Sequence, residues 1–428
     1  MSLLALAIGL LGCRGQALEE PWCEEEEVEI AGSWTWWRDI QPVVAQKCLA
    51  CHSEGGSASV PLESWEEAWE QRELIRSAVL NRSMPPWQVS DCCGEWYHDY
   101  SLSTEEIARI AAWVEAGAPE GDPEEAPPTP EPIGGLSRVD LSLSPSEAYT
   151  PAPAKGSFDD TRCFLMPWPE EEPRFVTGLA PRPGVRALAH HIVVAWAPKS
   201  QKRELEKLDE ADVGPGFACS GGVGDLQVVP LGGSLVGGDY PRGIGTQIPV
   251  GATMILQVHY STRGAVPEPD RTTIDFRLAD EAVAAGSIVI ANAAWLAAPG
   301  MKIPAGEADA VFTYRFNPSL FIGGRPAELQ GATPHLHRYA TKMRILRILP
   351  DQSTECLLEI PKWRFGWEQP YWYDSPRRLN PEDELYLECH FDNSAANQAD
   401  GQAPRDIAWG DNDQDMCVGF LAFTPVEE

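Results

Sequence analysis

The sequence predicts a multidomain chain. A helical block at 34–122 precedes a linker at 123–136 and two β-sandwich domains at 137–282 and 283–428. Three observations predict it. Residues 34–122 carry apolar positions at helical spacing. The stretch PEGDPEEAPPTPEPIGG, from Pro119 to Gly135, is dominated by Pro and Glu and reads as an extended linker. Beyond it, short β-rich runs such as HHIVVAWAP, TMILQVHYS, KMRILRILP and ELYLECHFD are punctuated by Gly and Pro turns. Many short strands argue for sandwiches or barrels, and roughly 290 residues are too many for one sandwich. The boundary between the two falls near LADEAVAAGS.

The elements follow in chain order. The opening MSLLALAIGLLGCRG has an apolar run at 3–11, too short for a bilayer span of about 20 residues but suited to a secretory signal. Leu10-Leu11-Gly12-Cys13 is similar to a bacterial lipobox, although no Lys or Arg precedes the apolar run. A lipid tether through Cys13 and a plain signal peptide cut elsewhere are the two readings of 1–13. Either gives an exported protein, in the periplasm or as an outer-membrane lipoprotein of a bacterium. The net charge of -31 argues against nucleic acid and anionic membrane surfaces as partners.

Within 34–122, RDIQPVVAQKC is an amphipathic run leading into Cys48, and SWEEAWEQRELIRSAVLNR carries a helical apolar pattern with no Gly or Pro. STEEIARIAAWVEAGAP is the clearest helix. Ser103 and Glu106 have capping-box spacing, Gly117 and Pro119 end it, and Ile107, Ile110, Ala111 and Val114 form its buried stripe.

Cys48, Cys51 and His52 stand as C-x-x-C-H. That spacing gives two thioether links to a haem and one axial imidazole. A second axial ligand comes from Met84 in RSMPPW, with His98 as its rival. This block resembles class I cytochrome c domains.

Histidines also gather in three later contexts: His190 and His191, His259, and His335 with His337. In TMILQVHYS, Met254, Leu256, Val258 and Tyr260 share an apolar face, so Gln257 and His259 point towards a cleft. His335 and His337, two apart, point the same way and can hold one metal. Adjacent His190 and His191 point apart on a regular strand and share a metal only where the strand is bulged or ending. No carboxylate motif accompanies these histidines. Imidazole with the thioether of Met416, in DNDQDMCVGF, suits copper.

In order and approximate spacing, His190-His191, His259, His335-x-His337 and Met416 resemble the copper type II monooxygenases, the peptidylglycine α-hydroxylating and dopamine β-hydroxylating enzymes. The resemblance covers roughly 137–428. SMPPW, GPGFACSGG and DNSA are similar to a bacterial branch with an N-terminal cytochrome c domain. It implies an all-α cytochrome c domain followed by two antiparallel, jelly-roll-like β-sandwiches with one haem c and two copper ions. His190, His191 and His259 would hold an electron-transfer copper. His335, His337 and Met416 would hold the copper that binds O2 and hydroxylates a C–H bond of a small organic substrate. Gln257 matches a position near the cleft between them. In the peptide-amidating enzymes an Arg before H-x-H, and an Asn and a Tyr after the Met, hold the substrate carboxylate. Here those positions are Thr333, Val418 and Phe420, so peptidylglycine is not the expected substrate.

Eleven cysteines fit an oxidising compartment. Setting aside Cys13, Cys48 and Cys51 leaves Cys23, Cys92, Cys93, Cys163, Cys219, Cys356, Cys389 and Cys417 for disulfides. Cys389–Cys417 is expected because ELYLECHFD reads as a strand that could pair with the one containing Cys417. Cys163–Cys219 is the second expectation, since both flank the segment carrying His190 and His191. The haem would be an electron inlet, fed by a separate donor and docking near the first copper through the linker. A non-catalytic copper and haem redox lipoprotein is the rival from another class.

Overall fold

The computed structural model describes Leu18, residues 21–23, and 32–426 apart from 54–57, 59, 132, 156, 220–225, 227, 234–236, 264, 297–299, 366, 399–401 and 411–413. The side chains of His190 and Pro230 are also outside the description, as is the lipobox read at Cys13.

Local signals in the helical block hold. Thr104–Glu115 is a helix whose N-terminus is closed by the reciprocal Ser103–Glu106 capping box, and its stripe Ile107, Ile110, Ala111 and Val114 is buried. Gly117 ends it at φ +89°, a conformation that favours glycine. The helical run SWEEAWEQRELIRSAVLNR forms two helices, Trp65–Glu70 and Arg72–Leu80, that meet at Gln71. These helices and Gln41–Lys47 share a small core around Trp36, Ile40, Val79, Ile110 and Trp113.

The first β unit has two sheets over one core that includes Phe164, Val176, Ile192, Leu256 and Phe276. One sheet orders Phe217–Ala218, Asp159–Pro167, Thr253–Ser261, Ala189–Ala197 and Val229–Gly233. The other orders Leu141–Leu143, Thr273–Ala279, Arg174–Arg182, Ile244–Ile248 and Val283–Ala284, with Gly238–Asp239 on Arg174–Arg182. In the second unit, one sheet orders Gly286–Ile290, Val418–Pro425, Ala327–His335 and Tyr371–Leu379. Its partner orders Ala310–Phe316, Glu384–Phe391, Ala340–Ile348 and Thr354–Ile360. A two-stranded sheet, Lys302–Ile303 with Ile407–Ala408, completes the set.

The expected fold class, an all-α domain and two antiparallel jelly-roll-like sandwiches, is corrected. The described residues are 36% strand and 19% helix in small separate sheets, with no free-standing N-terminal all-α domain. One strand pair, Val283–Ala284 on Ile244–Ile248, is parallel. The helical block fails as a separate unit because its irregular continuation is built into the second β unit. Val89, Cys93 and Trp96 lie in that unit's core, and Trp96 bridges to Tyr373. Tyr97 N–H donates to the Trp372 carbonyl at 2.8 Å. A Cys93–Cys356 disulfide fastens the two parts, and Cys23–Cys92 ties the N-terminal strip to the same place.

The linker is held at both ends. Trp36 and Trp37 N–H donate to the carbonyls of Pro119 and Glu120, and Gly135 N–H donates to the Gly237 carbonyl at 3.1 Å. The two expected disulfides, Cys389–Cys417 and Cys163–Cys219, are present. The route of Cys389–Cys417 differs from the expected strand pairing. Glu384–Phe391 and Val418–Pro425 lie in different sheets, so the bridge crosses the core between them.

Candidate functional site

Thr253–Ser261 buries Met254, Leu256, Val258 and Tyr260 and leaves Gln257 and His259 half-buried on the other face, as its alternation requires. The neighbouring strand places His191 directly opposite His259, while Ala189 stands opposite Tyr260. His190 is therefore the extra residue of a β-bulge. That is the condition under which two adjacent histidines escape the strict in–out alternation.

The Nδ1 atoms of His191 and His259 are 3.3 Å apart. This is long for a hydrogen bond. It matches two nitrogens bound at about 2.0–2.1 Å around one tetrahedral ion, which stand roughly 3.3 Å apart. Nε2 of His259 meets Asp159 Oδ1 at 3.3 Å, so a carboxylate orients the ring from its far side. Gln257 is turned to the disulfide beside it, its Nε2 donating to the Cys219 carbonyl at 3.2 Å.

The second group sits where a strand ends. Ala327–His335 pairs with Val418–Pro425, with His335 opposite Val418 and Thr333 opposite Phe420. His337 lies in the following loop, and its ring centroid is 5.2 Å from that of His335. Both Nδ1 atoms face oxygens: Glu368 Oε2 at 3.3 Å for His335 and the Gln414 carbonyl at 3.2 Å for His337. Nε2 is thus the nitrogen each would give a metal.

Asp415 binds this loop to Met416. It is fully buried, its Oδ1 accepting from the N–H of His337 and of Met416 at 2.7 and 2.8 Å, and its Oδ2 from Tyr339 N–H at 2.8 Å. Burial raises its pKa, against the pull of His337 and the three amides. The Cys389–Cys417 bridge anchors the residue after Met416. His335 and Phe420 have ring centroids 6.5 Å apart, so an apolar ring stands beside His335.

Phe365 stands between the two groups. Its ring centroid is 6.5 Å from that of His191 and 6.1 Å from that of His337. It also lines a cavity of about 450 Å³ with His259, Asp159, Leu188, Ser261 and Arg263. Glu368, three residues on, feels all three of His335, His191 and His337. Burial pushes its carboxyl up, but His335, with the other two, holds it below the ordinary carboxylate range. Its Oε1 is buried with no hydrogen-bond partner among the described residues. Two carboxylates therefore accompany the histidines, where the sequence showed no such motif. Asp159 and Glu368 stand far from their partners along the chain and arrive only by strand pairing and loop packing.

In the helical block, Cys51 and His52 lie in the short helix Leu49–His52, with Cys48 at its N-cap, and Cys48 and Cys51 stay outside the four disulfides. Burial, with Cys51 and Glu106 adding, pushes the Cys48 thiol up to about 12. His52 Nδ1 is 2.6 Å from the Val60 carbonyl, which leaves Nε2 as the nitrogen that would face an iron. Met84 follows the helix Arg72–Leu80, its N–H donating to the Ala78 carbonyl at 3.3 Å. His98 stacks on Tyr97 and lines a cavity of about 80 Å³ with Gly238 and Asp239 of the first β unit.

Among the described residues, no group of three or more His, Cys, Asp or Glu is gathered to hold a metal ion. Each proposed triad needs one group more, His190, whose side chain lies outside the description, or the thioether of Met416. The donor chemistry and the spacing of His191 and His259 fit copper.

No family model matches this chain, and no curated protein matches it. Among solved structures it is similar to one described as a secreted protein from Parabacteroides distasonis, at 9% identity over 67% of this chain and 89% of that one. It is also similar to the VP2 subviral particle of infectious bursal disease virus, at 10% identity over 68% and 74%. Both TM-scores are 0.17, and neither likeness bears on function. The four disulfides fit an exported protein.

Proposed function

We propose that the chain is an exported copper-dependent monooxygenase that hydroxylates a C–H bond of a small organic substrate with O2, its electrons entering through a fused c-type haem. The observation that carries this reading is the placement of two imidazole groups, from two β units, against one phenyl ring, Phe365. His190, His191 and His259 would hold one copper ion, and His335, His337 and Met416 the other. When bound, the two ions supply one-electron redox chemistry and O2 activation. Cys48, Cys51, His52 and Met84 would hold the haem.

The chain's own residues do the rest. Asp415 sets Met416 beside His337, and Asp159 and Glu368 orient His259 and His335. Phe365 and Phe420 place apolar rings beside the histidines. The cavity of about 450 Å³ opens on His259 and Phe365, so it gives a small molecule access to the first histidine group. Thr333 and Phe420 offer no cation for a substrate carboxylate.

Hydrogen bonds between the helical block and the second β unit support the inlet. Arg364 Nη2 donates to the Asn81 carbonyl at 2.7 Å, Gln88 Nε2 to that of Trp367 at 2.9 Å, and Gln369 Nε2 to that of Pro86 at 2.9 Å. The segment around Met84 is thus bonded to the loop carrying Phe365 and Glu368, so the haem segment is docked without swinging on its linker. A lipid anchor at Cys13 and a bacterial periplasmic or outer-membrane address belong to the same proposal.

The test is O2 consumption by the reduced, copper-loaded protein against a panel of small organic substrates. Two coppers per chain and labelled oxygen in a product are expected. Copper binding without substrate-dependent uptake would turn the reading to a non-catalytic copper and haem redox protein. A Cys48→Ala/Cys51→Ala chain should lose turnover with a protein donor and regain it with a chemical reductant. Equal turnover with the protein donor would sink the inlet.

A further inference from the structure

The second β unit has two ends, and the chain marks them differently. Ala327 stands opposite Leu379 and Pro425 at the near end, and His335 stands opposite Val418 at the far end. The nine residues of Ala327–His335 separate the two ends by roughly 27 Å. The near end is closed by residues 317–326, which join Ala310–Phe316 of one sheet to Ala327–His335 of the other.

This connection folds on itself. Phe321 N–H donates to the Pro318 carbonyl at 2.8 Å, Gly324 N–H to that of Ser319 at 2.8 Å, and Arg325 N–H to that of Ile322 at 3.3 Å. Asn317 Nδ2 ties it to the carbonyls of Pro381 and Asp383 at 2.7 and 3.0 Å. Ile322 is the buried root, whereas Leu320 is 94% exposed and Phe321 48%. Among the described residues, these two are the one pair of exposed large hydrophobics adjacent in sequence. Single apolar residues scattered over a surface are ordinary, but two together on a self-bonded turn make a preformed apolar tip.

The N-terminal strip arrives at the same end. The rings of Trp22 and His390 meet edge-on at 5.5 Å. Leu18 lies over Tyr386, its N–H donating to the hydroxyl at 3.2 Å and its carbonyl accepting from Arg344 Nη2 at 3.1 Å. Strand pairing sets Arg315 opposite Tyr386 and Phe316 opposite Leu385. From Trp22 back to Leu18 the strip therefore heads towards the turn at 317–326. Cys13 stands five residues before Leu18, a span of at most about 18 Å.

We propose that this end of the second β unit lies on a bilayer, with Leu320 and Phe321 inserted among zwitterionic lipids beside a lipid-bearing Cys13. The inference rests on the lipid-anchor reading above and adds the face that the anchor holds to the membrane. A turn whose amides bond within itself has few main-chain groups to strip of water on insertion. The charges around the tip are of both signs. Arg315 pairs with Glu384 and donates to Gln352, beside Asp351, and Arg325 and Glu382 are exposed nearby. That mixture fits a zwitterionic surface better than a strongly anionic one. Stable anchoring takes two signals, and the tip supplies one beyond the lipid. The far end, with His335, His337 and Met416, then faces away from the bilayer, towards soluble substrate and donor.

The test uses the full-length chain in phosphatidylcholine vesicles, beside a Cys13→Ala chain free in buffer. Mass spectrometry reads lipid on Cys13, and hydrogen exchange reads the amides of 317–326 and 336–338. Exchange at 317–326 should slow by about tenfold or more in vesicles, while 336–338 exchanges as in buffer. Leu320→Ser/Phe321→Ser in the lipid-bearing chain should return 317–326 to the buffer rate. Where the Cys13→Ala chain is not recovered, that double variant in vesicles is the reference. Equal exchange at 317–326 in the vesicle-bound, lipid-bearing chain and in the reference overturns the membrane face and leaves the anchor intact. Slowing without vesicles that grows with protein concentration makes a second copy the occupant and overturns the bilayer. Absence of lipid from Cys13 overturns the anchor reading itself.

Discussion

The two histidine groups are built differently. His191 and His259 face each other across an antiparallel ladder, and a bulge in that ladder falls at His190. His335 ends a strand, His337 follows in a loop, and Met416 precedes another strand. A ladder fixes its ligands through main-chain hydrogen bonds on both sides. A loop needs a separate clamp, and here it is Asp415, with the Cys389–Cys417 bridge behind it. The contrast suits the proposed division of labour. In that proposal an all-imidazole set on a ladder would hold one geometry through electron transfer, whereas a loop-borne set with one soft ligand would leave room for O2 and substrate.

The largest expected effect separates ladder from clamp. Asp415→Ala strips three backbone amides, two of them buried, of their acceptor and should destabilise the fold by roughly 3–5 kcal/mol. Denaturant unfolding with copper analysis reads the outcome. The second copper should be lost while the first persists. Equal loss at both sites would mean that the two groups do not stand on independent supports.

A smaller structural change isolates the soft ligand. Met416→Ile keeps the side-chain volume and removes the thioether. Turnover should fall by about 100-fold or more while the His190, His191 and His259 site stays filled. Intact occupancy and turnover would refute Met416 as a ligand.

The mildest change probes the ladder site from outside. Asp159→Asn removes the charge behind His259 Nε2 and should weaken copper at the first site by about 10–100-fold, leaving the second alone. Competition titration with a copper chelator would show it. No change would mean that the ladder orients His259 without help.

Much was legible in the residues. Period-two alternation in TMILQVHYS put Gln257 and His259 on the face away from the core, because pleating admits only two directions. The Ser103–Glu106 cap and Gly117 bounded a helix through local hydrogen bonds and φ alone. Cys389–Cys417 and Cys163–Cys219 could be named, though the first crosses between sheets rather than joining paired strands. Asp415 carried a weak signal, an acid next to a proposed ligand. Phe365, Glu368 and Asp159 carried none, since nothing in their own neighbourhoods marks them.

The sequence by itself determined what short-range physics controls: capping, alternation, the C-x-x-C-H spacing, the H-x-H pair, and the cysteine surplus of an exported chain. The tertiary structure alone decided where the helical block belongs. A composition that looked like a separate all-α domain is stapled by Cys93–Cys356 and buries Val89 and Trp96 in the second β unit. It also decided that the linker is pinned at both ends and that one phenyl ring separates the two histidine groups. Those outcomes depend on contacts between residues hundreds of positions apart, whose energies come from burial and pairing that no local pattern records.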